Sequence, residues 1–174
     1  LSTQRVLVME YVLGIKASMT TQLREQGYDL PLIAERGATL VMEQIFVHGF
    51  FHADPHPGNL FILPDNVVCF IDFGQMGRLS RKDREDFTDL VLDLVAGDER
   101  TIVDGVLQVT VQLGEVDREA LGRVLGSLMD LYLYRPLDEL EAGRILQDLL
   151  DLVTRHKLTF KPAFYQMMKA LSTV

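Results

Sequence analysis

From Ser80 to the end of the chain the apolar residues keep a helical period, and this pattern limits the fold more than any other feature. Phe87, Leu90, Val91, Leu94 and Val95 fall at i, i+3, i+4, i+7 and i+8, which puts them on one helix face. Ser80-Arg81-Lys82-Asp83 resembles a capping box at the start of that helix, and Gly97 closes it. Ile102, Val103, Val106, Leu107 and Thr110 make a second face. Leu121, Val124, Leu125, Leu128 and Met129 make a third, ahead of Pro136. Leu146, Leu149, Leu150 and Val153 make a fourth. Phe164, Met167, Met168 and Leu171 make a fifth, with Pro162 near its first turn. These stripes read as core packing, with Met167 and Met168 as gap fillers. The acidic runs Asp83, Glu85, Asp86, Asp89 and Asp138, Glu139, Glu141 read as solvated helix faces.

Upstream of Ser80 the pattern is mixed. Val6 to Val12 reads as a buried strand ending at Gly14. A helix is expected from Pro31 to His48, started by Asp29 and Pro31 and stopped by Gly49. Leu60–Leu63 and Val67–Ile71 read as short strands turned by Pro64-Asp65-Asn66. The whole is expected to be one mainly α domain over residues 1–174 with a small β element. Its parts are a strand at 1–14, functional loops within 50–77 and a helical subdomain over 80–174.

The net charge of −8 argues against a cationic nucleic-acid surface and gives no general attraction to anionic lipid. The one cysteine, Cys69, lies in an apolar run, so a buried free thiol in a reducing compartment is expected and no internal disulfide can form. No segment approaches the roughly eighteen uncharged apolar residues of a spanning helix. There is no signal-peptide pattern, and a chain opening in mid-strand reads as part of something longer.

The chemistry lies in Phe51-His52-Ala53-Asp54-Pro55-His56-Pro57-Gly58-Asn59-Leu60 and in Ile71-Asp72-Phe73-Gly74. Asp54 precedes Asn59 by five positions, and Asp72 follows Asn59 by thirteen. Protein kinases use this spacing to set a catalytic acid, a metal-binding amide and a metal-binding carboxylate around the phosphates of ATP. Mg²⁺ is a hard ion that takes oxygen ligands, so Asn59 and Asp72 suit it. Asp54 is the candidate base or orienter of the attacking hydroxyl or water. Glu10, Tyr11 and Val12 stand, by position alone, where a hinge backbone would meet adenine; an ordinary core strand explains them equally. A zinc reading of His48, His52, Asp54 and His56 is the competing metal chemistry.

Together, residues 51–60, the run Ile71-Asp72-Phe73-Gly74-Gln75-Met76-Gly77 and the approach Leu7-Val8-Met9-Glu10-Tyr11-Val12 closely resemble the UbiB/AarF atypical kinase-like family. The resemblance implies the large, mostly helical lobe of a kinase-like fold, with about six helices and without the N-terminal lobe. It implies ATP and Mg²⁺ as cofactors and a role as an unorthodox kinase or ATPase supporting ubiquinone or other prenyl-lipid metabolism. It also implies a small-molecule or lipid substrate and a cytoplasmic location, with any membrane association running through segments outside this chain. His52 and Phe73 would brace the loop and Asp72.

Departures from ordinary protein kinases fit this family. Ala53 stands where an Arg is usual, and His56 where a Lys near the γ-phosphate is usual. Only five residues separate Gly74 from Ser80, leaving no room for a substrate-docking activation segment. The strand Lys, its Glu partner and a Lys-x-Gly-Gln element are not in this sequence, so the chain alone is expected to hold at most half of an ATP site. The alternatives are an aminoglycoside/choline-type phosphotransferase, which shares a His-x-Asp-x-x-x-x-Asn loop, and a pseudokinase-like scaffold binding nucleotide or lipid.

Overall fold

The computed structural model describes residues 2–132 and 142–173. Chain order begins with β1 (Ile15–Lys16), α1 (Thr20–Glu25) and α2 (Leu30–Met42). Asp29 caps α2 by accepting the Leu32 N–H on Oδ1 at 3.0 Å, as its position before Pro31 suggests. Beyond Met42 the helix widens into a π-helical turn over Glu43–His48, which ends at Gly49 in the left-handed region (φ 63°). A side chain at Gly49 would also strike the Leu79 carbonyl at 2.6 Å, so glycine is required there on two counts.

Four short strands follow: β2 (Phe50–His52), β3 (Leu60–Leu63), β4 (Val67–Phe70) and β5 (Met76–Arg78). They make two separate antiparallel ladders. One has the order β1-β3-β4, and the other pairs β2 with β5. The turn between β3 and β4 puts Asp65 and Asn66 at positive φ (61° and 56°), a conformation that Asn and Asp tolerate better than most residues. Arg36 on α2 clamps this turn, donating from Nη1 to the carbonyls of Asp65 and Asn66 at 2.7 Å each.

The rest is helical: α3 (Arg81–Ala96), α4 (Glu99–Val109), α5 (Arg118–Tyr132), α6 (Ala142–Arg155) and α7 (Pro162–Thr173). The antiparallel pair β6 (Thr110–Gln112) and β7 (Leu158–Phe160) ties the end of α4 to the start of α7. The capping box at Ser80 forms: its hydroxyl accepts the Asp83 N–H at 3.1 Å, and the Asp83 carboxylate accepts the Ser80 N–H at 2.9 Å. One apolar core runs through the molecule. Val41, Ile45 and Phe51 from the loop-bearing half meet Leu121, Phe164 and Met167 from the helical half, all buried.

Several expectations change. Residues 6–12 form no strand; Leu7 and Tyr11 are 76% and 83% exposed. A strand exists only with a ladder partner, and none of the ladders includes residues 6–12. Cys69 is half-buried rather than buried, because β4 is the edge strand of its sheet. Asp86 is buried, not solvated, and receives Lys82 Nζ at 2.6 Å. On α6 Val153 of the expected stripe is buried, Leu149 and Leu150 are half-buried, and Leu152 beside them is buried as well. Pro136 and the acidic run Asp138, Glu139, Glu141 lie outside the described residues.

Candidate active site

The two ladders converge on the loop carrying Asp54 and Asn59. At one end of that loop β2 pairs with β5, His52 opposite Met76, and the Ala53 N–H continues the ladder to the Gln75 carbonyl at 2.9 Å. At the other end β3 pairs with β4, Leu60 opposite Phe70, and the Ile71 N–H reaches the Asn59 carbonyl at 2.9 Å. The segment 53–59 is therefore tied at both ends to the segment 71–75. Asp72 lies on the segment between those ties.

Gly77 makes this junction possible. A methyl group there would fall 2.2 Å from the Phe51 ring, and Phe51 is wholly buried, so the ring lies flat on backbone that no other residue could present. The six residues from Gly74 to Leu79 thus return directly into the core as β5. Nothing between Gly74 and Ser80 remains to form a long docking segment.

His52 ties the centre. Its ring is 1% exposed and lies 5.9 Å from the Phe70 ring and 5.8 Å from the Phe73 ring. Nδ1 accepts the Asp54 N–H at 3.1 Å, so Nε2 carries the proton and donates to the Ile71 carbonyl at 3.0 Å. The His52 N–H donates to Gln44 Oε1 at 2.9 Å. Both ring nitrogens are engaged by backbone, which removes His52 from any zinc site; Phe73 is 60% exposed beyond its contact with the His52 ring.

Each candidate residue has a definite setting. The Asp54 carboxylate is partly exposed. The half-buried Asn59 donates from Nδ2 to the Asp54 carbonyl at 3.3 Å, so its Oδ1 is not used in that bond. Asp72 has a left-handed backbone (φ 60°), and its Oδ1 accepts the Gly74 N–H at 3.3 Å. That bond fixes one oxygen in an Asx-type turn while the exposed side chain keeps its second oxygen outward. A carboxylate oxygen and an amide oxygen are the donor set that Mg²⁺ takes. His56 sits on the exposed outer edge of the loop, where Nδ1 accepts the Gly58 N–H at 3.0 Å and caps the 3₁₀ turn at Pro57–Asn59.

Glu10 and Tyr11 are exposed and Val12 is half-buried. They precede Gly14, which lies against Ile62 and Leu63 at the far end of β3. At about 3.4 Å per strand residue, that end is roughly 13 Å from Asn59, about the reach of a nucleoside triphosphate.

One residue escaped the sequence. Lys169 on α7 places Nζ 3.0 Å from Asp54 Oδ1. It stands 115 positions downstream as the one charged residue of α7, and no local pattern marks it. Only the burial of α7 against the loop-bearing half brings it there.

Residues 1–106 match the family described as ABC1 atypical kinase-like domain, and residues 125–174 match the UbiB helical domain. The chain is similar to a probable protein kinase UbiB of Shewanella frigidimarina, 32% identical over 98% of this chain and 32% of that protein. It is similar to the chloroplastic protein ACTIVITY OF BC1 COMPLEX KINASE 7 of Arabidopsis thaliana, 29% identical over 99% of this chain and 25% of that protein. An uncharacterized protein from the hydrogenase 1 5′ region of Clostridium pasteurianum is 30% identical over 98% of this chain and 32% of its own length. The chain spans a quarter to a third of the length of these curated relatives.

Proposed function

The chain belongs to the ABC1 atypical kinase-like family, and from that membership and the geometry of the loops we propose that it carries the catalytic half of an ATP-dependent phosphotransferase or ATPase of the UbiB type. The observation that carries this reading is the double tie between segments 53–59 and 71–75, the Ala53–Gln75 and Asn59–Ile71 bonds, which holds the segment bearing Asp54 and Asn59 against the one bearing Asp72.

In this reading Asn59 and Asp72 would hold Mg²⁺ against the triphosphate, and Asp54 would orient the acceptor and take its proton. The metal, when bound, supplies neutralisation of the β- and γ-phosphate charge. The acceptor oxygen bonds to the γ-phosphorus as the bond to the β–γ bridging oxygen breaks. ADP leaves with that electron pair, and the acceptor's proton passes to Asp54. His56 keeps Nε2 for a phosphate contact, and the Glu10–Val12 backbone lies in reach of adenine. The short return through β5 leaves no docking platform for a protein substrate, which supports a small molecule, a lipid or water as acceptor. The names of the UbiB relatives support a kinase-type activity, and a role in ubiquinone or other prenyl-lipid metabolism is part of the same proposal. Among the described residues no helix is long and apolar enough to cross a membrane; membrane contact, as proposed, uses other segments.

The test is Asp72→Asn in the full-length protein. We expect ATP turnover to fall at least 100-fold, the order seen when a group stabilising transition-state charge is removed. Unchanged turnover, or full cellular function without turnover, points instead to a nucleotide- or lipid-binding scaffold.

A further inference from the structure

We propose that Lys169 is a catalytic residue, the cation that meets the transferred phosphoryl group beside Asp54. This rests on the phosphotransferase or ATPase reading of the same site and adds to it a group from the helical subdomain.

Three observations carry it. First, the charge is in the right place: Lys169 Nζ is 3.0 Å from Asp54 Oδ1, the carboxylate at which the acceptor's proton is taken. An ammonium has three N–H donors, and a single contact with Asp54 leaves two for the γ-phosphate oxygens. Second, the loop itself offers no permanent cation. The position two after Asp54 is His56, and its Nδ1 is already engaged by Gly58. Third, the helix that presents Lys169 is fixed. Phe164, Met167 and Ala170 of α7 are each no more than 1% exposed, and the Phe164 ring packs 6.5 Å from that of Phe87. Stability alone gives little reason for the pair. The two side chains are 42% and 33% exposed, and ion pairs that open to water contribute little to folding.

In the step, the bond from acceptor oxygen to γ-phosphorus forms, the bond to the bridging oxygen breaks, and ADP takes the electron pair. The proton goes to Asp54. Lys169 exchanges no proton; its N–H groups move from Asp54 toward the oxygens on which charge is carried. The device replaces a cation from the loop with one from a distant helix, which makes the site depend on how the helical subdomain is docked.

The experiment compares wild type, Lys169→Met and Lys169→Arg in the full-length protein, with thermal unfolding as the folding control. Calorimetric titration with MgATP and MgADP reads binding apart from turnover. We expect Lys169→Met to lower kcat about 100-fold. It should also reduce the preference for MgATP over MgADP severalfold while MgADP affinity stays put, and Lys169→Arg should recover most of both. In an Asp54→Asn background Lys169→Met should lower the residual rate further, because the lysine acts on phosphate and not only on Asp54. Unchanged kcat and an unchanged ATP-to-ADP preference in a folded Lys169→Met overturn the assignment, as does faster turnover, which would make the pair a latch. If Asp72→Asn abolishes turnover while Lys169→Met does not, only this inference fails. If the wild type turns over no ATP, the underlying reading fails.

Discussion

His52 shows how much one side chain can organise. Its two ring nitrogens join the residue that bears the candidate base to the residue before the candidate metal ligand. Replacing it with Ala leaves the Ile71 carbonyl and the Asp54 N–H without partners and removes a ring from between Phe70 and Phe73. The expected cost is about 3 kcal/mol of stability, read as a shift of the urea midpoint. Turnover should fall as well, because Asp54 and Asp72 lose their common anchor. A variant as stable as wild type would show that the backbone ties alone hold the loops. At this scale the acid, the amide and the second acid could be read from spacing, since each answers to a local motif. Lys169 could not, because its role comes from a contact 115 positions away.

Elements whose ends are set by local chemistry were the legible ones. Asp29, Gly49, Ser80 and Gly97 bound their helices as their residue types suggest, through side-chain caps and left-handed closures. Three-residue strands such as β2, β5, β6 and β7 were not legible. They carry too few residues to show a period, and pairing across the chain decides them. The run at 6–12 has the composition of a strand but no partner, so composition misled. The capping box gives a direct test. Ser80→Ala should destabilise by about 1 kcal/mol at neutral pH. The bond from the Ser80 hydroxyl, and then the Ser80 N–H, hold the Asp83 carboxyl below its usual range against the opposing effect of burial. A depressed carboxylate adds stability that is full above its unfolded pKa and is lost as pH falls through the lower folded value. The gap between wild type and Ser80→Ala should therefore be flat from pH 7 to 5 and narrow below about pH 4. A gap that widens in acid, measured by unfolding across that range, would contradict the cap's electrostatic share.

At the scale of the whole molecule, one core joins the loop-bearing half to the helical half, with Phe51 on one side and Phe164 and Met167 on the other. The boundary between the two matched families is crossed by an ion pair: Asp54 lies in one matched segment and Lys169 in the other. The central claim is that Asn59 and Asp72 together hold a divalent ion against the triphosphate. The most direct measurement is electron paramagnetic resonance of Mn²⁺ in place of Mg²⁺, titrated with ATP into full-length wild type, Asn59→Ala and Asp72→Asn. Bound Mn²⁺ in the wild type that requires ATP and drops at least tenfold in affinity in both variants is the predicted result. Equal Mn²⁺·ATP binding by wild type and Asp72→Asn would contradict it.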